Sequence, residues 1–292
     1  MEIGIIGSGS VGMLCAAYLA KEHRVTVYTR RKEQSDLINE KGLILLQGDQ
    51  KTTVKDVKAC SGKDFKEPLL MIAVKQYQLG DVLPSLKEIK ERKNLLFLQN
   101  GMSHIPLLKS LDGHNVYIGS VEHGSLKSGD ATVAHTGAGV IKVSSLFPDQ
   151  PPLPLTALDS ERFPFEAVKD WREAHSRKLL ANAVINPLTA LLKVKNGELI
   201  ESPHYRRMAK SVFKEAIGIL DMSDENAEWE KVMEICRRTA ENRSSMLRDV
   251  EASRKTEIDG IIGYLLDEAK KHNKPVPLLE FLYHAVKGGE KE

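Results

Sequence analysis

The most constraining feature of this 292-residue chain is a glycine-rich turn near its amino terminus. The turn follows the apolar run Glu2–Ile6 and precedes an apolar stretch of helical character that extends to about Lys21. Its residues are Gly7, Ser8, Gly9, Ser10, Val11 and Gly12. Between a strand and a helix, this spacing predicts a tight turn at the first glycine, approach of a pyrophosphate at the second and close helix packing at the third. The alternative is a glycine-rich turn that binds nothing.

Short apolar runs alternate with helical stretches through the first half of the chain. The predicted strands are residues 2–6, 24–29, 69–74, 95–98 and 116–120. Such alternation is typical of a parallel sheet with crossover helices. A Thr-Gly-Ala-Gly turn within residues 131–143 lies between β-rich runs, and it predicts a hairpin added to that sheet.

Prolines mark the predicted domain boundary. They crowd the stretch between residues 147 and 164, at a density that helices and most strands do not tolerate. From residue 165 onward the pattern is mostly helical. We therefore predict an α/β protein with a Rossmann-type parallel-sheet domain over residues 1–164 and an all-helical domain over residues 165–292.

Charge and composition exclude several functional classes. The chain has 42 basic and 40 acidic residues, so its net charge of +2 is too small to hold nucleic acid or an anionic membrane. The apolar residues 3–20 follow the acidic Glu2 and are interrupted by glycines, which argues against a signal peptide or a membrane span. Cys15, Cys60 and Cys236 are scattered, which favours a reducing, cytoplasmic location. The nine histidines form no HExxH or HxxEH arrangement, and no metal is expected.

The end of the second predicted strand indicates which dinucleotide is bound. An acidic residue there would accept the ribose hydroxyls and repel a 2′-phosphate. This strand instead ends in Thr29, Arg30 and Arg31, and guanidinium groups favour phosphate. The strand end therefore predicts NADP(H), with a solvated arginine pair as the alternative.

A polar stripe occurs on an otherwise apolar segment of the second half. Lys178, Asn182 and Asn186 follow one another at four-residue spacing, which puts them within about 80° on a helix. Such a stripe either lines a cleft or forms the polar face of one amphipathic helix. Pro187 is expected to break or kink the helix.

A third candidate segment contains Ser245 and Glu257, twelve residues apart. If both lie on helices or on a short turn between them, they could line one groove, where the carboxylate would accept a substrate hydroxyl. The alternative is that Glu257 belongs to a charged helix face.

The chain resembles the 2-dehydropantoate 2-reductases, also called ketopantoate reductases, over nearly its whole length. The segments that carry the resemblance are residues 7–12, Lys75 in Val-Lys-Gln, Asn100 in Leu-Gln-Asn-Gly, and residues 178–191, 244–246 and 256–259. The Lys-x3-Asn-x3-Asn-Pro-Leu-Thr and Thr-Glu-Ile-Asp strings are much more specific than the glycine motif. The chain departs from the family at Ser176, where a tryptophan is common; its nearest tryptophan is Trp171.

The resemblance implies NADPH-dependent reduction of 2-dehydropantoate to (R)-pantoate, a step toward pantothenate and coenzyme A. It assigns the general acid to Lys178 and the carboxylate that holds the substrate hydroxyl to Glu257. The implied substrate-site residues are Asn100, Asn182, Asn186 and Ser245. The implied cofactor contacts beyond the glycine-rich turn are Arg30 at the 2′-phosphate, Lys75, and Asn100 near the nicotinamide. The expected partner is the small-molecule substrate, without nucleic acid or membrane, and a homodimer is left open.

Two alternatives remain. One is a reductase of the same plan that acts on another 2-keto acid or a 3-hydroxy acid, in which case Glu257 would have no substrate hydroxyl to bind. The other is a non-catalytic NADPH-binding regulator, which would have no use for a proton donor at Lys178.

Overall fold

The computed structural model describes residues 1–290, and the chain divides into two compact units. Unit 1 consists of Met1–Gln99 and Pro106–Ala174. Unit 2 consists of Asn100–Ile105 and the chain from His175 onward. The second unit is therefore built from two separate stretches of sequence.

Unit 1 contains twelve strands in two sheets. In chain order they are β1 (Glu2–Ile6), β2 (Arg24–Tyr28), β3 (Leu43–Gln47), β4 (Gln50–Val54), β5 (Val57–Cys60), β6 (Leu69–Ile72), β7 (Asn94–Phe97), β8 (Asn115–Val121), β9 (Gly124–Gly129), β10 (Thr132–Gly137), β11 (Ile141–Ser145) and β12 (Phe165–Ala167). The main sheet has the order β12-β11-β8-β7-β6-β1-β2-β5. All pairings from β5 through β8 in this order are parallel, which confirms the predicted parallel sheet.

The predicted domain boundary after residue 164 is too early. The residues that follow the proline-rich stretch form β12, which pairs in parallel with β11 of the main sheet. This backbone pairing keeps the stretch in unit 1, which continues to Ala174.

The predicted hairpin within residues 131–143 is wrong. Its two strands belong to different sheets, because β10 lies in a four-stranded sheet of order β4-β3-β10-β9, whereas β11 pairs antiparallel with β8. The turn is where the chain crosses from one sheet to the other. A Cβ at Gly139 would lie 2.5 Å from the backbone of Glu122, so only glycine fits at this crossing.

Helices cover the main sheet and account for its apolar strands. They are α1 (Ser10–Leu19), α2 (Lys32–Lys41), α3 (Leu79–Lys87) and the short α4 (Ile105–Leu108). Strands of a parallel sheet are covered on both faces and read as continuous apolar runs. Ile3 and Ile5 of β1 are fully buried, as are Leu70 and Met71 of β6.

A buried aromatic and histidine cluster attaches the second sheet to α1. Tyr18 Oη accepts a hydrogen bond from Gln47 at 2.7 Å and lies 2.6 Å from His135 Nδ1. His123 Nδ1 accepts from the Gly139 N–H, so its 3.1 Å contact with His135 Nε2 requires the latter to donate. Burial lowers the pKa of both imidazoles, that of His123 to about 4, so both rings are neutral at pH 7.

The described residues of unit 2 form helices joined by loops and contain no strand, as the sequence predicts. Its helices are α5 (Trp171–Leu192, whose first turn lies in unit 1), α6 (Glu198–Glu201), α7 (Pro203–Leu220), α8 (Glu225–Arg238), α9 (Ser245–Glu251), α10 (Tyr264–Lys271) and α11 (Pro277–Gly289). A π-helical segment, Asp259–Gly263, precedes α10. Such segments are often found at functional sites.

The expected break at Pro187 does not occur, because α5 continues through it to Leu192. Residues 183–190 are all buried, so packing offsets the loss of one backbone donor, which costs about 3 kcal/mol.

Candidate active site

The three glycines of the turn after β1 meet different structural needs. Gly7 has a φ of +112°, and a Cβ there would lie 2.8 Å from the Val74 amide nitrogen. A Cβ at Gly12 would lie 1.9 Å from the Gly7 carbonyl oxygen. Gly9 instead has no heavy atom within 4 Å of its Cβ position and precedes α1, which has no side-chain cap. The amide groups of the α1 N-terminus are thus accessible to an anion.

This turn lies at the topological switch point of the main sheet. The chain leaves β1 toward β2 on one side, while β6 is its neighbour on the other. Ligands of open α/β sheets bind at the carboxyl ends of the strands at such a point. Lys75, which follows β6, is half-buried, and its N–H donates to Gln78 Oε1 at 3.1 Å. Gln99 Nε2 donates to the carbonyl oxygens of Ile72 and Val74 and so fixes this strand end.

The two arginines after β2 have different environments. Arg30 is exposed, and its side chain has no hydrogen bond or ion pair with residues 1–290. Arg31 Nη2 donates to Asp130 Oδ1 at 2.5 Å. This hydrogen bond raises the pKa of Arg31 and lowers the pKa of Asp130. Arg30 is therefore the guanidinium that remains available to a ligand.

Gln34, Lys127 and Asp130 join the second sheet to the glycine-rich turn. Gln34 is 3% exposed, accepts from Ser8 Oγ, and donates to the carbonyl oxygens of Ser8 and Asp130. Lys127 Nζ lies 3.3 Å from both the Ser8 carbonyl oxygen and Asp130 Oδ1. The sequence contains no signal for these contacts, because up to 119 positions separate the partners.

The polar stripe in unit 2 lies on a single continuous helix, α5. Lys178 and Asn182 are half-buried, and Asn186 is buried. One turn further on, Thr189 Oγ1 donates a buried 2.8 Å hydrogen bond to Ser244 Oγ. Ser244 also caps α9, whose first residue is Ser245. The structure thus brings the Asn-Pro-Leu-Thr string next to the helix end that carries Ser245.

Asn100 and Glu257 are in direct contact. Asn100 Nδ2 donates to Glu257 Oε2 at 3.1 Å, and Glu257 is 7% exposed. Gly101 makes this approach possible, because its φ is +77° and a Cβ there would lie 2.0 Å from the Gly260 carbonyl oxygen. The Met102 N–H donates to the same carbonyl. The segment that carries Asn100 is therefore packed directly on the π-helical segment that follows Glu257.

The residues on either side of Glu257 are anchored by α11 and the residue after it. Glu290 Oε1 accepts from both the N–H and the hydroxyl of Thr256, at 2.9 and 2.6 Å. Lys287 Nζ bridges the carboxylates of Asp259 and Glu290. Burial would raise the pKa of Glu290, but the hydrogen bonds from Thr256 and Lys287 lower it overall. The Thr-Glu-Ile-Asp string is thus held in place by its first and last residues.

His104, which follows Asn100 in unit 2, is fully buried, and neither ring nitrogen has a hydrogen-bond partner among residues 1–290. Burial and the neighbouring His175 lower the pKa of His104 to about 3, so its ring is neutral. Nothing in the sequence singles out this residue, because an isolated histidine gives no information about its burial.

A cavity of about 760 Å³ lies at the other end of the main sheet. Its lining includes Glu2, Arg24, Leu69 and Asn94, which are the first residues of their strands. Because ligands of this fold bind at the carboxyl ends, this cavity is not the cofactor site. Within residues 1–290, no three His, Cys, Asp or Glu side chains are grouped to hold a metal ion, and no helix has the length and apolar character to cross a membrane.

A glycine-rich turn between a strand and a helix, at the switch point of a parallel sheet, is typical of nicotinamide-dependent oxidoreductases. Residues 3–147 match the family model described as ketopantoate reductase PanE/ApbA, and residues 170–290 match the model of its C-terminal part. The chain belongs to the ketopantoate reductase family, which confirms the predicted resemblance.

Named relatives agree over the full length. The chain is 48% identical over 295 residues to the 2-dehydropantoate 2-reductase of Bacillus subtilis strain 168, covering 100% of this chain and 98% of the relative. It is 40% identical over 301 residues to that of Listeria monocytogenes, with the same coverage. The crystal structure of a probable 2-dehydropantoate 2-reductase from B. subtilis has a TM-score of 0.89 at 47% identity, covering 99% of this chain and 100% of that one. D-mandelate dehydrogenase with NADH and anilino(oxo)acetate has a TM-score of 0.91 at 21% identity, covers 99% of this chain and 98% of that one, and shares the fold.

Proposed function

We propose that this protein reduces 2-dehydropantoate to (R)-pantoate with NADPH, and so serves the synthesis of pantothenate and coenzyme A. The observation that carries the proposal is the hydrogen bond between Asn100 and Glu257, which joins two segments of the family resemblance within unit 2. The name of the 48% identical B. subtilis relative supports the same substrate.

In this proposal unit 1 binds the cofactor. The accessible α1 N-terminus after Gly9 suits a pyrophosphate, and the strand end without a carboxylate suits a 2′-phosphate at Arg30. Lys75 and Asn100 are the further proposed contacts. The nicotinamide, when bound, supplies the hydride for the ketone carbon.

Unit 2 is proposed to hold the substrate and provide the proton. Hydride addition to a ketone leaves negative charge on its oxygen, and the Lys178 ammonium group donates a proton to that atom. Asn182 and Asn186 extend the same helix face with neutral donors for the keto or carboxylate oxygens. The stripe therefore presents one ionisable group, Lys178, and otherwise only neutral donors to the charged substrate.

Glu257 and Ser245 are proposed to select the substrate. The Glu257 carboxylate is buried and accepts from Asn100, and because a carboxylate can accept several hydrogen bonds, it can also accept one from a substrate hydroxyl. Ser245, at the start of α9, offers a hydroxyl to the substrate. This pair would favour a 2-keto acid with a distal hydroxyl over one without it.

The proton donor is tested by Lys178→Ala. Single-turnover reduction of 2-dehydropantoate should slow by about 10²–10⁴, the effect of losing a positioned acid, while NADPH titration stays near that of the unmodified chain. Arg172→Ala, an exposed cation on the first turn of the same helix, is the matched control. Near-normal turnover in a folded Lys178→Ala variant would eliminate this residue as the acid.

The substrate is tested by following loss of NADPH absorbance with 2-dehydropantoate and a small panel of 2-keto acids. Preference for another acid would favour the related-reductase alternative. Binding of NADPH without turnover of any acid would favour a non-catalytic regulator.

We also propose a cytoplasmic location and a homodimer. Cys15, Cys60 and Cys236 are free thiols, which suits a reducing compartment. Phe281 is 59% exposed and Leu278, one turn earlier on α11, is 38% exposed, which offers an apolar contact surface for a second copy. Sedimentation equilibrium gives the mass in solution, and a monomeric mass would contradict the homodimer.

A further inference from the structure

A carboxylate from the second sheet lies at the end of β2. Asp130, in the turn between β9 and β10, accepts from Arg31 Nη2 at 2.5 Å, and the same Oδ1 atom lies 3.3 Å from Lys127 Nζ. Two cations therefore share one carboxylate oxygen. The hydrogen bond from Arg31 lowers the pKa of Asp130, so this carboxyl group is negatively charged at neutral pH.

The backbone of Asp130 is fixed beside the glycine-rich turn. Its carbonyl oxygen accepts from the buried Gln34 amide at 2.8 Å, and Gln34 is also bonded to Ser8 in both directions. Lys127 Nζ donates to the Ser8 carbonyl oxygen as well. Asp130 is thus part of the rim of the proposed cofactor site.

The location of this carboxylate matters for recognition of the ribose of a bound dinucleotide. In Rossmann-type folds, the residues at the end of the second strand contact the ribose 2′ position, where a carboxylate accepts hydroxyls and repels a 2′-phosphate. The end of β2 has no carboxylate of its own. Asp130 supplies one to Arg31 from 99 positions away in sequence.

We propose that Asp130 is a specificity-determining residue that weakens recognition of the cofactor 2′-phosphate by holding Arg31 and Lys127. The inference rests on the proposed use of NADPH. Arg30 alone reads the phosphate in the unmodified chain, because Arg31 is engaged by Asp130. Neutralising Asp130 releases Arg31 as a second forked donor and removes a repelling charge.

The test is calorimetric binding of two probes, adenosine 2′,5′-bisphosphate and 5′-AMP, which differ only in the 2′-phosphate. Asp130→Asn keeps the side-chain size and the backbone contact with Gln34. We expect this variant to bind the bisphosphate about tenfold tighter, while 5′-AMP changes by less than about twofold. Asp36→Asn removes the same charge from an exposed ion pair with Lys32, and it should leave both affinities unchanged.

A double-mutant cycle identifies the released group. Arg31→Ala should change bisphosphate binding by less than about threefold in the unmodified chain, yet should abolish most of the gain in the Asp130→Asn background. Asp130→Ser gives the same readout if the asparagine variant folds poorly.

The inference is overturned if neutralising Asp130 weakens bisphosphate binding, leaves it unchanged, or strengthens both probes equally. The proposed NADPH preference is judged separately, from the unmodified chain. If that chain binds the two probes equally, the NADPH proposal fails, while a gain specific to the bisphosphate in Asp130→Asn still supports the role of Asp130.

Discussion

Asn100 Nδ2 lies 3.1 Å from Glu257 Oε2, although 157 positions separate the two residues in sequence. The contact gives the buried carboxylate a protein donor, and it orients the amide group at the same time. A carboxylate can accept several hydrogen bonds, so the contact with Asn100 is compatible with the proposed hydrogen bond from a substrate hydroxyl.

Glu257→Ala should therefore reduce affinity for 2-dehydropantoate by about tenfold or more, because a hydrogen bond to a charged group is lost. The dimethyl 2-keto acid that lacks the distal hydroxyl is the matched substrate, and its affinity should fall much less. Steady-state KM and direct titration with both acids make the comparison. Equal losses would assign Glu257 a structural role.

Arg30→Ala should weaken binding of NADPH by about tenfold or more and leave NADH nearly unchanged, because the exposed guanidinium is available to a 2′-phosphate. Fluorescence titration with both nucleotides measures the two affinities. Arg24→Ala, at the opposite end of β2, is the control. If both nucleotides weaken to the same extent, Arg30 does not read the phosphate.

Thr256→Val should destabilise the protein by about 1–2 kcal/mol, because it removes a buried hydroxyl that donates to Glu290 at 2.6 Å. It should also lower kcat/KM, since Glu257 loses an anchored neighbour, while NADPH binding is unchanged. Urea unfolding and kinetics are the measurements. Thr53→Val, at an exposed position of β4, should change stability by less than about 0.5 kcal/mol. Unaltered stability of Thr256→Val would show that the anchor is unimportant.

His104 should make the protein less stable in acid. Its pKa is about 3 in the fold and 6.5 ordinarily, so the unfolded chain takes up a proton that the folded chain refuses as pH falls below 6.5. The resulting loss should be about 1–2 kcal/mol between pH 7 and pH 5. Urea unfolding of His104→Leu should show a smaller decrease over this range, whereas exposed His272→Leu should behave like the unmodified chain. An identical decrease in all three proteins would contradict the assignment.

Five of the twelve strands and the conformation of the glycine-rich turn are predictable because they depend on local pattern. All five predicted strands are present, and Gly7 has the left-handed φ that its turn requires. The hairpin was mispredicted because a turn signal does not say which sheet each flanking strand joins. Pro187 was mispredicted because burial of its helix outweighs the missing donor. The partnership of Arg31 with Asp130 was not predictable, because long-range pairing leaves no periodic trace in one sequence.

The stretch Asn100–Ile105 belongs to the unit formed by the last part of the chain, although its neighbours on both sides belong to unit 1. If the C-terminal halves of two homologous genes were exchanged, Asn100 and its acceptor Glu257 would come from different parents. The same would hold for Gly101 and the Gly260 carbonyl group that packs against it. Recombination that preserves these contacts has to transfer the six residues Asn100–Ile105 together with the C-terminal half. A chimera made by a single crossover is expected to fold only when its two parents have matching residues in the stretch Asn100–Ile105 and in the C-terminal segment that contacts it.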